Sequence, residues 1–318
     1  MRDGQRRDLR RGPNPELTVG LLGCGTVGTH VGARLLRRGR ALHVHDHTRV
    51  HAEPLLEEGA TWAESPAELG ERCDLLISAL PGPAEVESAL LGDAGLWARV
   101  KPKTVHVEMS TVGLACMRRL GDAARQRTIR LVDAPLSRGA VSERGADLVV
   151  WVGGHVDHVE LARPVLSDIA DRVVLCGGLG QGQVTKLVNN LVSHVLTVVI
   201  GDALVMGVRA GGSLELLRAA LHEGTAQTRL LDELLPPSVF HGDWTPGLRM
   251  TLAEKDLRLA AELAEETGVE VTALDAIRGA YRRGIGKGWG DLSMYAVIRL
   301  AEEAAGVELR WTESRRSP

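Results

Sequence analysis

Thr18-Val19-Gly20-Leu21-Leu22-Gly23-Cys24-Gly25-Thr26-Val27-Gly28 is the stretch from which the fold can be read. Thr18–Leu22 has the length and apolar character of a buried β-strand, and Val27–Arg38 repeats its apolar residues at helical spacing. Between them the glycines fall as G-x-G-x-x-G, and each position has a physical reason. Gly23 makes the tight turn, Gly25 lets backbone approach a pyrophosphate, and Gly28 lets helix pack closely on strand. The helix N-terminus adds free N–H groups and a positive dipole end. A second strand, Ala41–His45, ends on Asp46, 18 residues beyond Gly28, close to where an acid meets the adenosine ribose. Alone, Asp46 has a plainer reading as a strand-end turn residue. Loop and acid together indicate a dinucleotide site formed by Gly23, Cys24, Gly25, Thr26, Val27, Gly28, Asp46 and His47. A carboxylate there accepts from the 2′-hydroxyl of NAD and repels the 2′-phosphate of NADP. His47 and Arg49 partly offset that repulsion, so NAD is the expected cofactor and NADP the alternative.

Outward from this loop, short β-rich runs alternate with helical stretches. Ser65-Pro66-Ala67-Glu68 is a capping box with proline at the first helical position. Leu75–Leu80, Thr104–Glu108 and Ile129–Val132 are apolar strand candidates at helix-length spacing, and Leu148–Val152 and Val173–Cys176 add the last strands. Such alternation predicts parallel strands with crossover helices. After Gly177-Gly178-Leu179-Gly180 the character changes. Gln183–Val208 is apolar on most faces at helical spacing, and the chain beyond it reads as helices separated by Gly/Pro breaks. The predicted fold is therefore α/β, a Rossmann-type doubly wound sheet followed by an all-α C-terminal domain. The expected division is a charged tail at 1–16, a dinucleotide-binding domain at 17–179 and a helical substrate domain at 180–318.

Composition excludes several classes. A net charge of −3 on 318 residues favours neither nucleic acid nor an acidic membrane surface. No run reaches eighteen apolar residues without polar interruption, so no membrane span is expected. Cys24, Cys73, Cys116 and Cys176 lie far apart with no zinc spacing, which implies neither metal nor disulfide framework and fits the cytoplasm. Arginine pairs at 6–7 and 10–11 ahead of Leu17–Cys24 resemble a short secretory signal, but a strand running into a glycine turn accounts for more residues.

Taken in order, five blocks resemble the β-hydroxyacid dehydrogenase family, which includes 3-hydroxyisobutyrate dehydrogenases, from about residue 18 to 306. After the glycine loop, Leu80-Pro81 matches the family's leucine-proline turn along the cofactor. Glu108-Met109-Ser110-Thr111 is similar to its D-x-S-T block, with Glu for Asp, and implies that Thr111 lies near the nicotinamide. Asp133-Ala134-Pro135-Leu136-Ser137-Arg138-Gly139 resembles the D-A-P-V-S-G-G substrate block, implying that Ser137 and Gly139 hold a carboxylate. Gly180-Gln181-Gly182 through Lys186, Asn189 and Asn190 resembles the catalytic block, and Lys255-Asp256-Leu257 the block through which Lys255 contacts the cofactor. The resemblance further implies a homodimer or homotetramer joined through the helical domain.

The chemistry asks for these residue types independently. Transfer of a hydride between nicotinamide and an alcohol carbon must be matched by loss or gain of the hydroxyl proton. A lysine whose pKa is lowered by burial serves as base in oxidation and acid in reduction. Lys186 lies early in an apolar helix, and Asn190 shares its face at i+4, able to hold a substrate hydroxyl or carboxylate. Only five lysines stand beside 33 arginines, and two of the five occupy the family's lysine positions. The bland alternative for Lys186 is a solvated surface charge. Arg138 stands where the family has glycine. It either pairs bidentately with a substrate carboxylate or phosphate, or turns outward to solvent or Glu143. The expected function is hydride transfer between NAD and a small 3-hydroxy acid or its semialdehyde. An imine reductase and a non-catalytic dinucleotide-binding protein are the alternatives. Lys186 stands where imine reductases carry Asp or Tyr, and a sensor would have lost it.

Overall fold

A computed structural model describes residues 17–142 and 145–311, with backbone alone at 138–142 and 145–147. The expected tail, 1–16, lies outside the described residues. Contacts divide the chain into two units that interleave in sequence. The first takes in the chain to Ser110, Arg118–Leu136 and Leu148–Leu179; the second takes in Thr111–Met117, Ser137–Asp147 and the chain from Gly180.

The chain forms a nine-stranded sheet, and all of it but the residues within Ser137–Asp147 lies in the first unit. Its strands are β1 (Val19–Leu22), β2 (Leu42–His45), β3 (Thr61–Trp62), β4 (Leu75–Ser78), β5 (Val105–Glu108), β6 (Arg130–Asp133), β7 (Leu136–Ser142), β8 (Gly145–Gly154) and β9 (Arg172–Gly177). Their order is β3-β2-β1-β4-β5-β6-β8-β7, with β9 paired to β8. From β3 to β6 every pairing is parallel, β8 runs antiparallel to β6, and β9 is parallel to β8. The reversal in chain order between β2-β1 and β4 is the topological switch at which open α/β sheets bind ligands. Crossovers are made by α1 (Thr26–Arg37), α2 (Glu53–Glu57), α3 (Pro66–Arg72), α4 (Pro83–Leu91), α5 (Gly113–Gln126) and α6 (Val156–Ile169). The cap is formed, in a variant of the box: Ser65 Oγ accepts from the Glu68 N–H, and the Glu68 carboxylate accepts from the N–H of Glu64, one residue before the cap.

β1 and β4 are buried along their whole length, as strands covered on both faces must be. β5 is equally buried, yet it alternates: Val105 and Val107 join the apolar core, while His106 and Glu108 face the other layer. Two strands had no expectation from sequence. β3 is only two residues long, and β7 runs through Leu-Ser-Arg-Gly-Ala-Val-Ser, whose polar and small residues carry little β signal.

The second unit is helical. Its long α7 (Gln181–Arg209) is followed by α8 (Leu214–Glu223), α9 (Met250–Thr267), α10 (Leu274–Gly284) and α11 (Arg299–Ala305). Gly180 caps α7 in the left-handed conformation (φ 91°), as glycine is suited to do. Among the described residues α7 is the one helix whose length and composition would let it cross a membrane; it packs on α8, α9, α10 and α11 and leaves Val188, Val192, Val199 and Met206 exposed. The core of this unit gathers Leu204, Phe240, Met250, Leu257, Tyr281 and Ile298. The segment Thr111–Met117 is tied into it. Gln183, fully buried, accepts through Oε1 the N–H groups of Val112 (2.9 Å) and Gly113 (3.2 Å).

Candidate active site

In the first unit, the glycine loop joins β1 to α1. Gly23 has φ +95°, and a side chain there would strike the Ala79 carbonyl at 2.5 Å. A Cβ on Gly28 would lie 1.9 Å from the Gly23 carbonyl oxygen, so neither position accepts any other residue. Gly25 is the opposite case: its Cβ would meet no protein atom within 4 Å, which leaves its backbone open to an approaching ligand. No side chain caps α1, whose first-turn residues Thr26 and Val27 are exposed. These features suit a pyrophosphate at the helix N-terminus.

Asp46 is buried at the end of β2. Its Oδ2 accepts the Cys24 N–H (2.8 Å), and its Oδ1 accepts the Thr48 N–H (2.9 Å). The Nδ1 atoms of His47 and His51 lie 3.0 and 3.1 Å from Oδ1. Burial raises the Asp46 pKa, but the backbone donors and His51 outweigh it and leave it below the ordinary carboxylate range. The acid is therefore ionised and held rigidly. The three side chains each bring one potential ligand atom within 4.8 Å of the others, a closeness that hydrogen bonding to the carboxylate explains. Cys24, the loop's thiol, is pushed up to about 12 by burial and is chemically quiet. The Leu80 N–H donates to Ser110 Oγ (2.8 Å), and Pro81 beside it is exposed.

In the second unit, Lys186, Asn190 and His194 follow one face of α7 at i, i+4 and i+8. Lys186 is half-buried; desolvation lowers its pKa, opposed by the Asp256 carboxylate and aided by the Lys255 charge. Asn190 is buried. Its Nδ2 donates to Asp256 Oδ2 (2.7 Å), and its Oδ1 accepts from Asn189 Nδ2 (3.1 Å). Asn189 is exposed and buttresses the Asn190 amide. Lys255, in the second turn of α9, lies 3.1 Å from Asp256 Oδ1 and donates to the Thr111 carbonyl (2.9 Å). Lys186, Asn190 and Lys255 therefore belong to one unit and share the Asp256 carboxylate as their electrostatic centre, with Thr111 joined to it through Lys255. Ser137 is half-buried on β7; Arg138 and Gly139 follow on the same strand, and their side chains lie outside the described residues.

Two residues of this cluster escaped the sequence reading. Asp256 stands next to Lys255 in a block already singled out, but its link to Asn190, 66 residues away, leaves no local trace. His194 was findable from its spacing to Lys186. It is buried, and neither ring nitrogen has a hydrogen-bond partner among the described residues.

The fold and the loop define a nicotinamide dinucleotide-dependent oxidoreductase, and comparison with known proteins carries this further. Residues 18–178 match the NAD-binding domain of 6-phosphogluconate dehydrogenase. Residues 180–301 match a second family, described as the NAD-binding domain of NADP-dependent 3-hydroxyisobutyrate dehydrogenase. The 3-hydroxyisobutyrate dehydrogenase of Pseudomonas aeruginosa is 31% identical over 253 residues, covering 78% of this chain and 85% of its own. The 2-(hydroxymethyl)glutarate dehydrogenase of Eubacterium barkeri is 27% identical over 293 residues, 92% of this chain and 97% of its own. Among solved structures, the Mycobacterium tuberculosis 3-hydroxyisobutyrate dehydrogenase with L-serine superposes with a TM-score of 0.80 at 26% identity, covering 89% of this chain and 98% of that one. Imine reductases match at 17–18% identity, a likeness of fold alone. The chain belongs to the 3-hydroxyisobutyrate dehydrogenase-like family of β-hydroxyacid dehydrogenases.

Proposed function

We propose that this protein interconverts a small 3-hydroxy acid and its semialdehyde, with NAD preferred over NADP and Lys186 as the proton-transfer residue. The observation that carries the reading is the state of Lys186: a half-buried amine whose pKa burial lowers, set one turn from a buried amide on an otherwise apolar helix. Desolvation lets an ammonium give up its proton near neutral pH, which an arginine in the same place would not do.

In the oxidative direction Lys186 takes the hydroxyl proton as the C–H bond breaks and the C=O bond forms. The nicotinamide, when bound, supplies the two-electron acceptor. Asn190, with its amide held by Asp256 and Asn189, directs its remaining N–H toward the substrate hydroxyl or carboxylate. Ser137 and the Gly139 backbone hold a carboxylate, and Arg138 suits a second anionic group. The relative that acts on a hydroxymethylglutarate, a dicarboxylate, makes such substrates worth including beside hydroxyisobutyrate and serine. Gly23–Gly28 bind the pyrophosphate, Asp46 takes the ribose hydroxyls with His47 beside it, Leu80-Pro81 and Thr111 line the cofactor, and Lys255 contacts it. Dinucleotide binding is assigned to residues 17–179 and substrate binding to 180–318. A cytoplasmic homodimer or homotetramer completes the proposal.

The test is nicotinamide absorbance during turnover of a panel of hydroxy acids and semialdehydes, with NAD and NADP, for wild type and Lys186→Ala. The expected result is turnover of at least one member, faster with NAD, and a loss of about 10²–10⁴-fold in the variant. Equal rates in wild type and variant would remove Lys186 from the chemistry.

A further inference from the structure

β5 carries two polar side chains, His106 and Glu108, into the interior of the first unit, and both are completely buried. Strand register sets Glu108 in a row with two neighbours. It is paired with Ser78 of β4 on one side and Asp133 of β6 on the other, at the C-terminal ends of three parallel strands. The direction of one chain of hydrogen bonds to Glu108 can be worked out from a donor that has no choice. The Trp97 indole N–H only donates, and it reaches His106 Nδ1 at 2.9 Å. His106 therefore carries its proton on Nε2 and donates to Ser78 Oγ at 2.8 Å. The Ser78 hydroxyl proton must then go to Glu108 Oε2, 2.6 Å away.

A second chain arrives from the opposite side. The Leu80 backbone N–H donates to Ser110 Oγ (2.8 Å), and the Ser110 hydroxyl is hydrogen-bonded to Glu108, which as a carboxylate can only accept. The Ser110 N–H adds a third donor at Glu108 Oε1 (2.7 Å). Every arrow ends on one carboxylate, and a carboxylate with three donors has its lone pairs well used. The residue at the start of the second chain matters most. The Leu80 side chain lies against Gly23: a Cβ on that glycine would meet Leu80 Cδ2 at 2.8 Å and the Ala79 carbonyl at 2.5 Å.

We propose that Glu108 is a positioning residue for the dinucleotide: acting through Ser110, it fixes the Leu80 turn against the first glycine of the phosphate loop. It touches no reactant. Its carboxylate orients the Ser110 hydroxyl, that oxygen then accepts the Leu80 N–H, and the turn is held where it shapes the loop. The inference rests on the dehydrogenase reading only for where the dinucleotide binds.

The experiment is NADH binding, followed by the fluorescence of the reduced nicotinamide, for wild type, Glu108→Gln, Ser110→Ala and Trp97→Phe, with melting curves on each. Glu108→Gln keeps the shape but turns an N–H₂ toward groups that already donate, and Ser110→Ala removes the relay oxygen alone. Both are expected to weaken NADH about tenfold, equivalent to about 1.4 kcal/mol. Their kcat at saturating cofactor should stay within about threefold of wild type, which a general loosening of the fold would not produce. Trp97→Phe breaks the remote end of the other chain and should lower the melting temperature while leaving NADH affinity within about twofold. NADH affinity unchanged in folded Glu108→Gln and Ser110→Ala overturns the proposal. Should Glu108→Gln fail to fold, Ser110→Ala decides alone. Because binding needs no hydroxy acid, failure of every substrate in the turnover panel leaves this result standing and counts only against the substrate reading.

Discussion

Each unit buries a polar cluster, and the two clusters are finished differently. In the first, Trp97, His106, Ser78, Glu108 and Ser110 form closed chains in which each donor finds an acceptor. In the second, Lys186, Asn190, His194 and Asp256 gather just as tightly, but His194 has neither nitrogen paired among the described residues, and Asp256 Oδ1 has the Lys255 charge beside it in place of a hydrogen bond. A satisfied network rigidifies the chain around it, whereas unpaired buried atoms cost stability that a purely structural site would not retain. The first cluster is closed on itself; the second leaves polar atoms of His194 and Asp256 without hydrogen bonds among the described residues, beside the lysine proposed to transfer the proton.

That contrast is open to attack from both sides. The largest effect is expected at Lys186. Lys186→Arg keeps the positive charge but cannot readily surrender a proton, so kcat/KM should fall about 10²–10⁴-fold with little change in unfolding free energy. A variant that kept most of its activity would show the second cluster to be merely electrostatic.

A smaller effect is expected from pH acting on the first cluster. Burial, reinforced by Asp133 and opposed by the serine donors, pushes Glu108 up to about 7 from an ordinary 4.5. In the folded protein the carboxylate that accepts these donors forms only as pH rises through 7; because burial of that charge outweighs its hydrogen bonds, the group's contribution to stability is full below about pH 4.5 and is lost across that rise. The shift is equivalent to about 3 kcal/mol. His106 is neutral throughout that window, since burial lowers it to about 3. The stability difference between wild type and Glu108→Gln, measured by urea unfolding from pH 5 to 8, should therefore shrink as pH rises. A constant difference would mean that Glu108 does not titrate there.

The smallest effect sharpens the comparison most. His194→Leu removes a buried group with no hydrogen-bond partner among the described residues and should raise unfolding free energy by about 1 kcal/mol. The matching change in the satisfied cluster, His106→Leu, should lower it by about 1–3 kcal/mol, because Trp97 and Ser78 lose their partner. If both substitutions destabilise alike, the two clusters are not different in kind.

Much of the fold was legible because its signals are local. The strand, the three glycines and Asp46 lie within 30 residues, and the capping box at Ser65 announces α3 without help from the rest of the chain. The polar clusters were not legible in the same way. His106 and Glu108 sit in a run that reads simply as an apolar strand candidate, and nothing local shows that their side chains are buried and bonded to one another's neighbours. Asp256 needs Asn190, and Glu108 needs Ser78 and Ser110. The first link spans 66 residues and the Ser78–Glu108 bond spans 30. β7 was silent for a different reason, since Ser-Arg-Gly-Ala has no strand propensity and only pairing with β8 makes it a strand.

The tether from Thr111–Met117 into the helical unit has a consequence for how the chain is made. Gln183 is fully buried and satisfies its carbonyl oxygen on two N–H groups from a segment synthesised about 70 residues earlier. Gene fragments cut at Leu179 would therefore part Gln183 and Lys255 from the backbone groups they bond. On the ribosome, the early segment has to wait for α7 and then α9 to emerge before its contacts can close. Synthesis order and the interleaved fold thus make the two halves a single inheritable piece, poorly suited to recombination at the point where the sequence changes character.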